Sequence, residues 1–278
     1  MPVQGKFSTI GIFDSGVGGL SVYKSIGLLR PDINTIFIAD QAHVPYGSRS
    51  LEEVSKFAIG ITKYLLKKEA ELIVVACNAA SAAALRDLRR AFPDVPFVGM
   101  EPAVKPAALS STSGTVGVLA TPATFLGKLY ASVVERFASN VNVMTSTCPG
   151  LVEQIEAGNL NSPITTYILE EALIPMVEAG ADSIVLGCTH YPFVMPIVRS
   201  IVGPQVNIID PSPAIARQVD RLLGDATWSA RKSGFAQFFT TGDPVVLEKL
   251  FPILLNESHP VHHLNWDFNS CIPLVEMA

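Results

Sequence analysis

Short runs of β-branched and other apolar residues alternate along this chain with longer stretches in which apolar positions recur every three or four residues. The short runs cover residues 8–13, 35–39, 72–76, 97–100, 115–120, 141–145, 183–187 and 207–210. They are apolar without alternation, which predicts parallel strands buried on both faces. Helical periodicity occupies residues 51–68, 80–91, 124–137, 164–178 and 214–223. Strand and helix in turn predict an α/β fold of mostly parallel sheets flanked by helices.

Two strand ends look alike. Leu-Ile-Val-Val-Ala runs into Cys77 and Asn78, and Ser-Ile-Val-Leu-Gly runs into Cys188, Thr189 and His190. The upstream strands correspond as well, one ending at Asp14 and Ser15, the other at Thr121. This repetition predicts two pseudo-symmetric domains, 1–112 and 113–223, joined near the Ser-Ser-Thr-Ser-Gly stretch at 110–114. Phe-Phe-Thr-Thr-Gly-Asp at 238–243 reads as a further strand and turn, so residues 224–278 are expected to cross back to the first domain. Open parallel sheets bind ligands beyond the carboxyl ends of their strands. If the halves face each other, these polar residues line one interdomain cleft.

Composition narrows the class. Of 278 residues, 49% are hydrophobic and 16% charged, enough apolar material for two cores and the wrong balance for a disordered chain. The formal charge of −5 is mild and no stretch gathers Lys and Arg, so no direct nucleic-acid partner is expected. The first apolar run is too short for a signal sequence, and no run reaches about 18 apolar residues. A cytoplasmic protein without membrane contact is expected. There Cys77, Cys148, Cys188 and Cys271 are free thiols, too few for a disulfide scaffold.

Facing cysteines have a specific chemical use. A thiol titrates near pH 8.5 and is tuned by helix termini and hydrogen bonds, so one can be a thiolate while the other keeps its proton. A proton removed from one face of a carbon and returned to the other inverts it without metal or cofactor. Packing is the alternative for either cysteine alone, since free Cys is among the most buried residues. The polar residues after both, where helices are expected to start, favour a thiolate and a bound carboxylate. Asp14-Ser15-Gly16-Val17-Gly18-Gly19 reads as a capped turn or an anion cradle; Ser21 stands where a dinucleotide fingerprint needs its third glycine. A metal site of Cys77, Cys188, His190 and Asp14 lacks the usual ligand spacing. Cys148 and Cys271 read as core or surface thiols, and His259, His262 and His263 as a solvated cluster.

FDSGVGGLSV at 13–22, VPYG at 44–47, ACNAASA at 76–82, GVLATPAT at 117–124 and GCTHYP at 187–192 together resemble the ordered signature of glutamate racemase, within the aspartate/glutamate racemase superfamily. The resemblance spans about residues 8–223. It implies two α/β domains with the active site between them, no cofactor and no metal. It implies that Cys77 and Cys188 exchange the α-proton of L- and D-glutamate, with Asp14 assisting Cys77 and His190 assisting Cys188. A glutamate follows a Cys-Pro element in the family, and spacing from Cys148-Pro149 favours Glu156 over Glu153. Implied substrate contacts are Asp14, Ser15, Tyr46, Gly47, Asn78, Ala79, Thr121, Thr189 and His190. The implied role is D-glutamate for peptidoglycan precursors in cell-wall biogenesis, and homodimers are frequent in the family. Ala79 departs from the family's threonine, a loss of roughly 0.5–1.5 kcal/mol of hydrogen bonding to the amino acid. It keeps open a racemase of another amino acid such as aspartate. A catalytically impaired homologue that binds a partner and a cysteine hydrolase are the readings from other classes.

Overall fold

Helices cover both faces of the sheets, so the strands between them read as unbroken apolar runs. The computed structural model describes residues 9–224, 234–267 and 272–276. Its first half runs β1 (Thr9–Asp14), α1 (Leu20–Leu29), β2 (Asn34–Ala39), α2 (Leu51–Lys67), β3 (Leu72–Val75), α3 (Asn78–Ala91), β4 (Phe97–Gly99) and α4 (Val104–Ser110). The second runs β5 (Thr115–Ala120), α5 (Pro122–Leu126), α6 (Lys128–Phe137), β6 (Asn142–Ser146), α7 (Leu151–Glu156), α8 (Pro163–Glu178), β7 (Ser183–Gly187), α9 (Met195–Val202), β8 (Asn207–Ile209) and α10 (Ser212–Leu223). The chain then forms β9 (Ala236–Thr240), α11 (Pro244–Leu255), β10 (Val261–Asp267) and β11 (Ile272–Glu276).

One sheet has the order β11-β10-β9-β2-β1-β3-β4 and the other β6-β5-β7-β8. The parallel blocks β2-β1-β3-β4 and β6-β5-β7-β8 share one plan, made from equivalent stretches of each half. Hence β1 and β5 deliver Asp14 and Thr121 to corresponding ends, and β3 and β7 deliver Cys77 and Cys188. After α10 the chain returns to the first sheet, where β9 lies parallel to β2 with Thr240 opposite Ala39. Among the described residues only the β10–β11 pair is antiparallel.

α1 packs against α10, and the apolar core is continuous between the halves, with Ile10, Leu20 and Phe37 in one cluster with Leu119, Leu186 and Val198. Among the described residues no helix is long and apolar enough to cross a membrane.

Several expectations from sequence need correcting. β6 and β8 are sheet edges with half-exposed or exposed residues, not strands buried on both faces. The helix expected over 124–137 is broken at Gly127, whose ψ of 135° leaves helical geometry between α5 and α6. No α-helix begins directly after Cys188; Tyr191–Val194 form a single 3₁₀ turn before α9. His259 is not solvated but half-buried, its ring 4.6 Å from that of Phe238 and 5.1 Å from that of Phe251. Cys271 lies outside the described residues.

Candidate active site

Cys77 and Cys188 line one small cavity between the halves, together with Ser15, Tyr46, Gly47, Asn78, Ala79, Thr121, Thr189 and His190. Its volume of about 20 Å³ holds about one water molecule. An amino acid is several times larger, so the structure is a closed state that must open to admit one. An outer recess of about 170 Å³ shares Pro45, Gly47, Thr121 and Val152 as its wall with the inner cavity.

Cys77 is the N-cap of α3, where its Sγ accepts from the Ala80 N–H at 3.5 Å; its thiol faces Ser15 Oγ at 3.9 Å. Burial pushes the Cys77 thiol well above its ordinary pKa, the Asp14 charge adds to this, and the Ala80 N–H opposes it. Asp14 stands behind the cavity wall, fully buried, accepting from Gly16 N–H at 2.9 Å and from Thr189 Oγ1 at 3.2 Å. Burial raises its pKa above the ordinary carboxylate value, while the charge of His190 pulls the other way.

The Cys188 side is built from the second half. Gly150 adopts the left-handed conformation (φ 85°) that turns the chain into α7, and α7 ends at Glu156. Glu156 Oε1 lies 2.6 Å from His190 Nε2, and His190 Nδ1 faces Cys188 Sγ at 3.6 Å. Burial works against a charge on His190, yet hydrogen bonds to Cys188 and Glu156 outweigh it and hold the imidazole well above its usual pKa. Burial likewise raises Glu156, but the His190 hydrogen bond and charge leave it below the ordinary carboxylate value. Glu156 is thus the carboxylate on His190; Glu153 is exposed at the outer recess.

Gly16 and Gly18 of the 14–19 turn serve the opposite half. A Cβ on Gly16 would overlap the Glu156 carboxylate, and one on Gly18 would overlap His190 Nδ1 and press on Thr189 Oγ1. A Cβ on Gly47 would come within 2.6 Å of Thr121 Cβ. These absences of side chain let the halves meet. α1 itself begins at Gly19 without a side-chain cap.

Tyr46 is buried with its hydroxyl spent on Asp40 Oδ2 at 2.5 Å, so its ring and backbone, not its hydroxyl, form the wall. Asp40 also accepts from Thr241 Oγ1 at 2.6 Å and Trp266 Nε1 at 2.7 Å and faces His43 Nδ1 at 2.9 Å. Asn78 differs: both its amide atoms are buried with no hydrogen-bond partner. A buried, unsatisfied amide costs about 1–3 kcal/mol, and this one belongs to a residue in the cavity wall. Thr121 Oγ1 is 3.2 Å from Thr124 Oγ1.

The sequence reading missed Pro45 and Val152 in the cavity wall, and Gln41, whose Nε2 donates to Glu156 Oε2 at 3.1 Å. Pro45 lay inside a quoted motif. Val152 and Gln41 carry no signal without the fold, because each works on a partner more than a hundred residues away or on the far wall. Cys148 is buried, its thiol 3.7 Å from Ser146 Oγ, and burial pushes its pKa up to about 11.

Paired sheets of one plan each send a cysteine from an equivalent strand end into one closed chamber, the arrangement that proton exchange on two faces of one carbon requires. The family model described as Asp/Glu/Hydantoin racemase matches residues 20–219. A glutamate racemase of Roseiflexus sp. (strain RS-1) is 50% identical over 238 residues, 84% of this chain and 88% of its own. The crystal structure of a glutamate racemase isoform from Bacillus anthracis superposes with a TM-score of 0.85 at 30% identity, covering 94% of this chain and 98% of its own. The Escherichia coli glutamate racemase, crystallised with L-glutamate and the activator UDP-MurNAc-ala, superposes at 0.79 with 33% identity, covering 91% and 96%. This chain belongs to the Asp/Glu/Hydantoin racemase family and, within it, to the glutamate racemases.

Proposed function

We propose that this chain interconverts L- and D-glutamate by two-base proton exchange, with Cys77 and Cys188 serving opposite faces of the α-carbon. The observation that carries the reading is the shared chamber: cysteines from equivalent strand ends of two similar halves line the same cavity.

With L-glutamate bound, the Cys188 thiolate takes the α-proton, and the electron pair left on carbon is delocalised into the adjacent carboxylate. The Cys77 thiol delivers its proton to the opposite face, leaving D-glutamate, a Cys188 thiol and a Cys77 thiolate; the reverse reaction restores the starting state. The raised Cys77 pKa suits it to donate first. His190, oriented by Glu156, supports Cys188, and Asp14 supports Cys77. Ser15, Gly47, Asn78, Ala79, Thr121 and Thr189 hold the carboxylates and ammonium, Asn78 with its unpartnered amide and the start of α3 with its positive dipole end. No lysine lines the cavity, so the donor set offers no Schiff-base partner for a pyridoxal cofactor. Residues 1–112 with 224–278, and residues 113–223, are the units that part to admit substrate. The D-isomer would supply peptidoglycan precursors in the cytoplasm.

The test is circular dichroism of the purified protein with L-glutamate, L-aspartate and other amino acids in parallel. Loss of the L-glutamate signal, abolished in both Cys77→Ser and Cys188→Ser, supports the reading. Turnover of aspartate alone, or full activity in either variant, overturns it.

A further inference from the structure

Tandem threonines at the end of β9 feed the tandem pair Asp40-Gln41 that follows β2. The Gly242 N–H donates to Thr240 Oγ1 at 3.0 Å. The hydrogen of that hydroxyl is left for Gln41 Oε1, at 2.8 Å. With its oxygen engaged, the Gln41 amide can turn only its NH₂ outward, and Nε2 donates to Glu156 Oε2 at 3.1 Å. The other Glu156 oxygen holds His190, which faces Cys188. The line therefore runs without a break from a backbone N–H of the returning segment to the Cys188 thiol. Neither Gln41 nor Thr240 lines the cavity.

We propose that Gln41 is a positioning residue for the Cys188 half of the reaction, its amide direction fixed by Thr240. Two carboxylate oxygens rotate together: the Val17 N–H holds Oε1 at 2.8 Å, and the Gln41 donor on Oε2 supplies the second point that fixes the carboxylate plane and hence that of His190. Without the Thr240 hydroxyl the amide is free to flip, and a carbonyl oxygen facing the Glu156 carboxylate repels it. The neighbouring line is separate: the Ala42 N–H donates to Thr241 Oγ1, which donates to Asp40, which holds Tyr46. Only the Gln41 line ends on an acid/base residue.

The inference rests on the racemase reading, and its test is built to fail separately. Wild type, Gln41→Leu, Thr240→Val and Thr240→Ser are compared for kcat and KM on L-glutamate, and the His190 imidazole ¹⁵N resonances are recorded in each. Gln41→Leu and Thr240→Val are expected to lower kcat roughly ten- to hundredfold, the worth of one hydrogen bond to a charged group, with KM within about threefold because no substrate contact is lost. Thr240→Ser restores most of the loss, and the His190 Nε2 resonance shifts in the two impaired variants only. An active wild type with unchanged kcat in Thr240→Val, or a loss that Ser does not restore, overturns the inference. If wild type is inactive on every amino acid, the functional reading fails instead. The His190 resonance still decides this point: unchanged in Thr240→Val, it overturns the positioning line, and shifted, it supports it.

Discussion

Glu156 and His190 meet at 2.6 Å within the second half, yet the same Glu156 oxygen also accepts the Val17 N–H of the first half at 2.8 Å. The carboxylate that orients the imidazole is thus also a fastening between the halves. Thr189, donating to Asp14 at 3.2 Å, is the matching fastening beside it. Closure therefore completes the site rather than builds it: Glu156 already holds His190 within the second half, and gains the Val17 N–H, as Asp14 gains Thr189, only when the halves meet.

The Glu156–His190 pair makes stability depend on pH in a defined direction. Glu156 sits below its ordinary value of 4.5 when folded, so its contribution is complete above about that pH and drains as pH falls through the lowered value. His190 sits well above 6.5 when folded, so its contribution is complete below about pH 6.5 and is lost as pH rises through the raised value. Thermal unfolding of wild type and Glu156→Gln across pH should differ most between about 4.5 and 6.5, with the gap closing at both extremes. A gap that does not change with pH contradicts the pair.

Gly18→Ala places a Cβ where His190 now lies. The turn has an ordinary backbone there, since Gly18 is absent from the positive-φ glycines. The isolated half therefore has no reason to unfold. The expected result is a fall in kcat/KM of roughly a hundredfold, the size of a displaced catalytic group, with a melting temperature lowered by a few degrees at most. Steady-state kinetics beside calorimetry checks it.

Asn78→Ala removes an amide that has no partner in the empty protein. Relief of that unsatisfied group offsets the packing lost, so the melting temperature should hold or rise slightly. KM for glutamate should rise roughly tenfold or more as the polar contact to substrate disappears. A large drop in stability with an unchanged KM would show that the amide serves the fold.

Ala79→Thr adds a hydroxyl to the cavity wall. Ala79 lines the cavity beside Cys77, so KM for glutamate should fall roughly two- to tenfold, the worth of one neutral hydrogen bond. Kinetics with glutamate and aspartate measures this and shows whether the alanine affects substrate choice.

Much of this was legible in the chain because strand ends carry both the repeat and the chemistry. LIVVAC and SIVLGC mark equivalent positions in equal strand orders; Glu156, which does reach His190, came from the resemblance to the family, with spacing from Cys148-Pro149 only choosing it over Glu153. The helices α4, α9 and α11 escaped. α11 reads Pro-Val-Val-Leu-Glu-Lys-Leu-Phe-Pro-Ile-Leu-Leu, apolar nearly all round and interrupted by Pro252, so no single face stands out. Gly16 and Gly18 were visible but their reason was not, since what they make room for lies in the other half. Gln41 was silent for the same cause: a glutamine's role depends on which way its amide faces, and Thr240, far along the chain, decides that.

The central claim is that separate cysteines handle the two faces of one carbon. It is tested most directly by running L-glutamate with this protein in deuterated water and assigning α-deuterium to each enantiomer at the earliest turnover. Two bases predict D-glutamate deuterated from the start while the remaining L-glutamate keeps its protium, because the returning atom comes from the opposite, solvent-exchanged thiol. Deuterium entering recovered L-glutamate as fast as it enters D-glutamate would contradict the account.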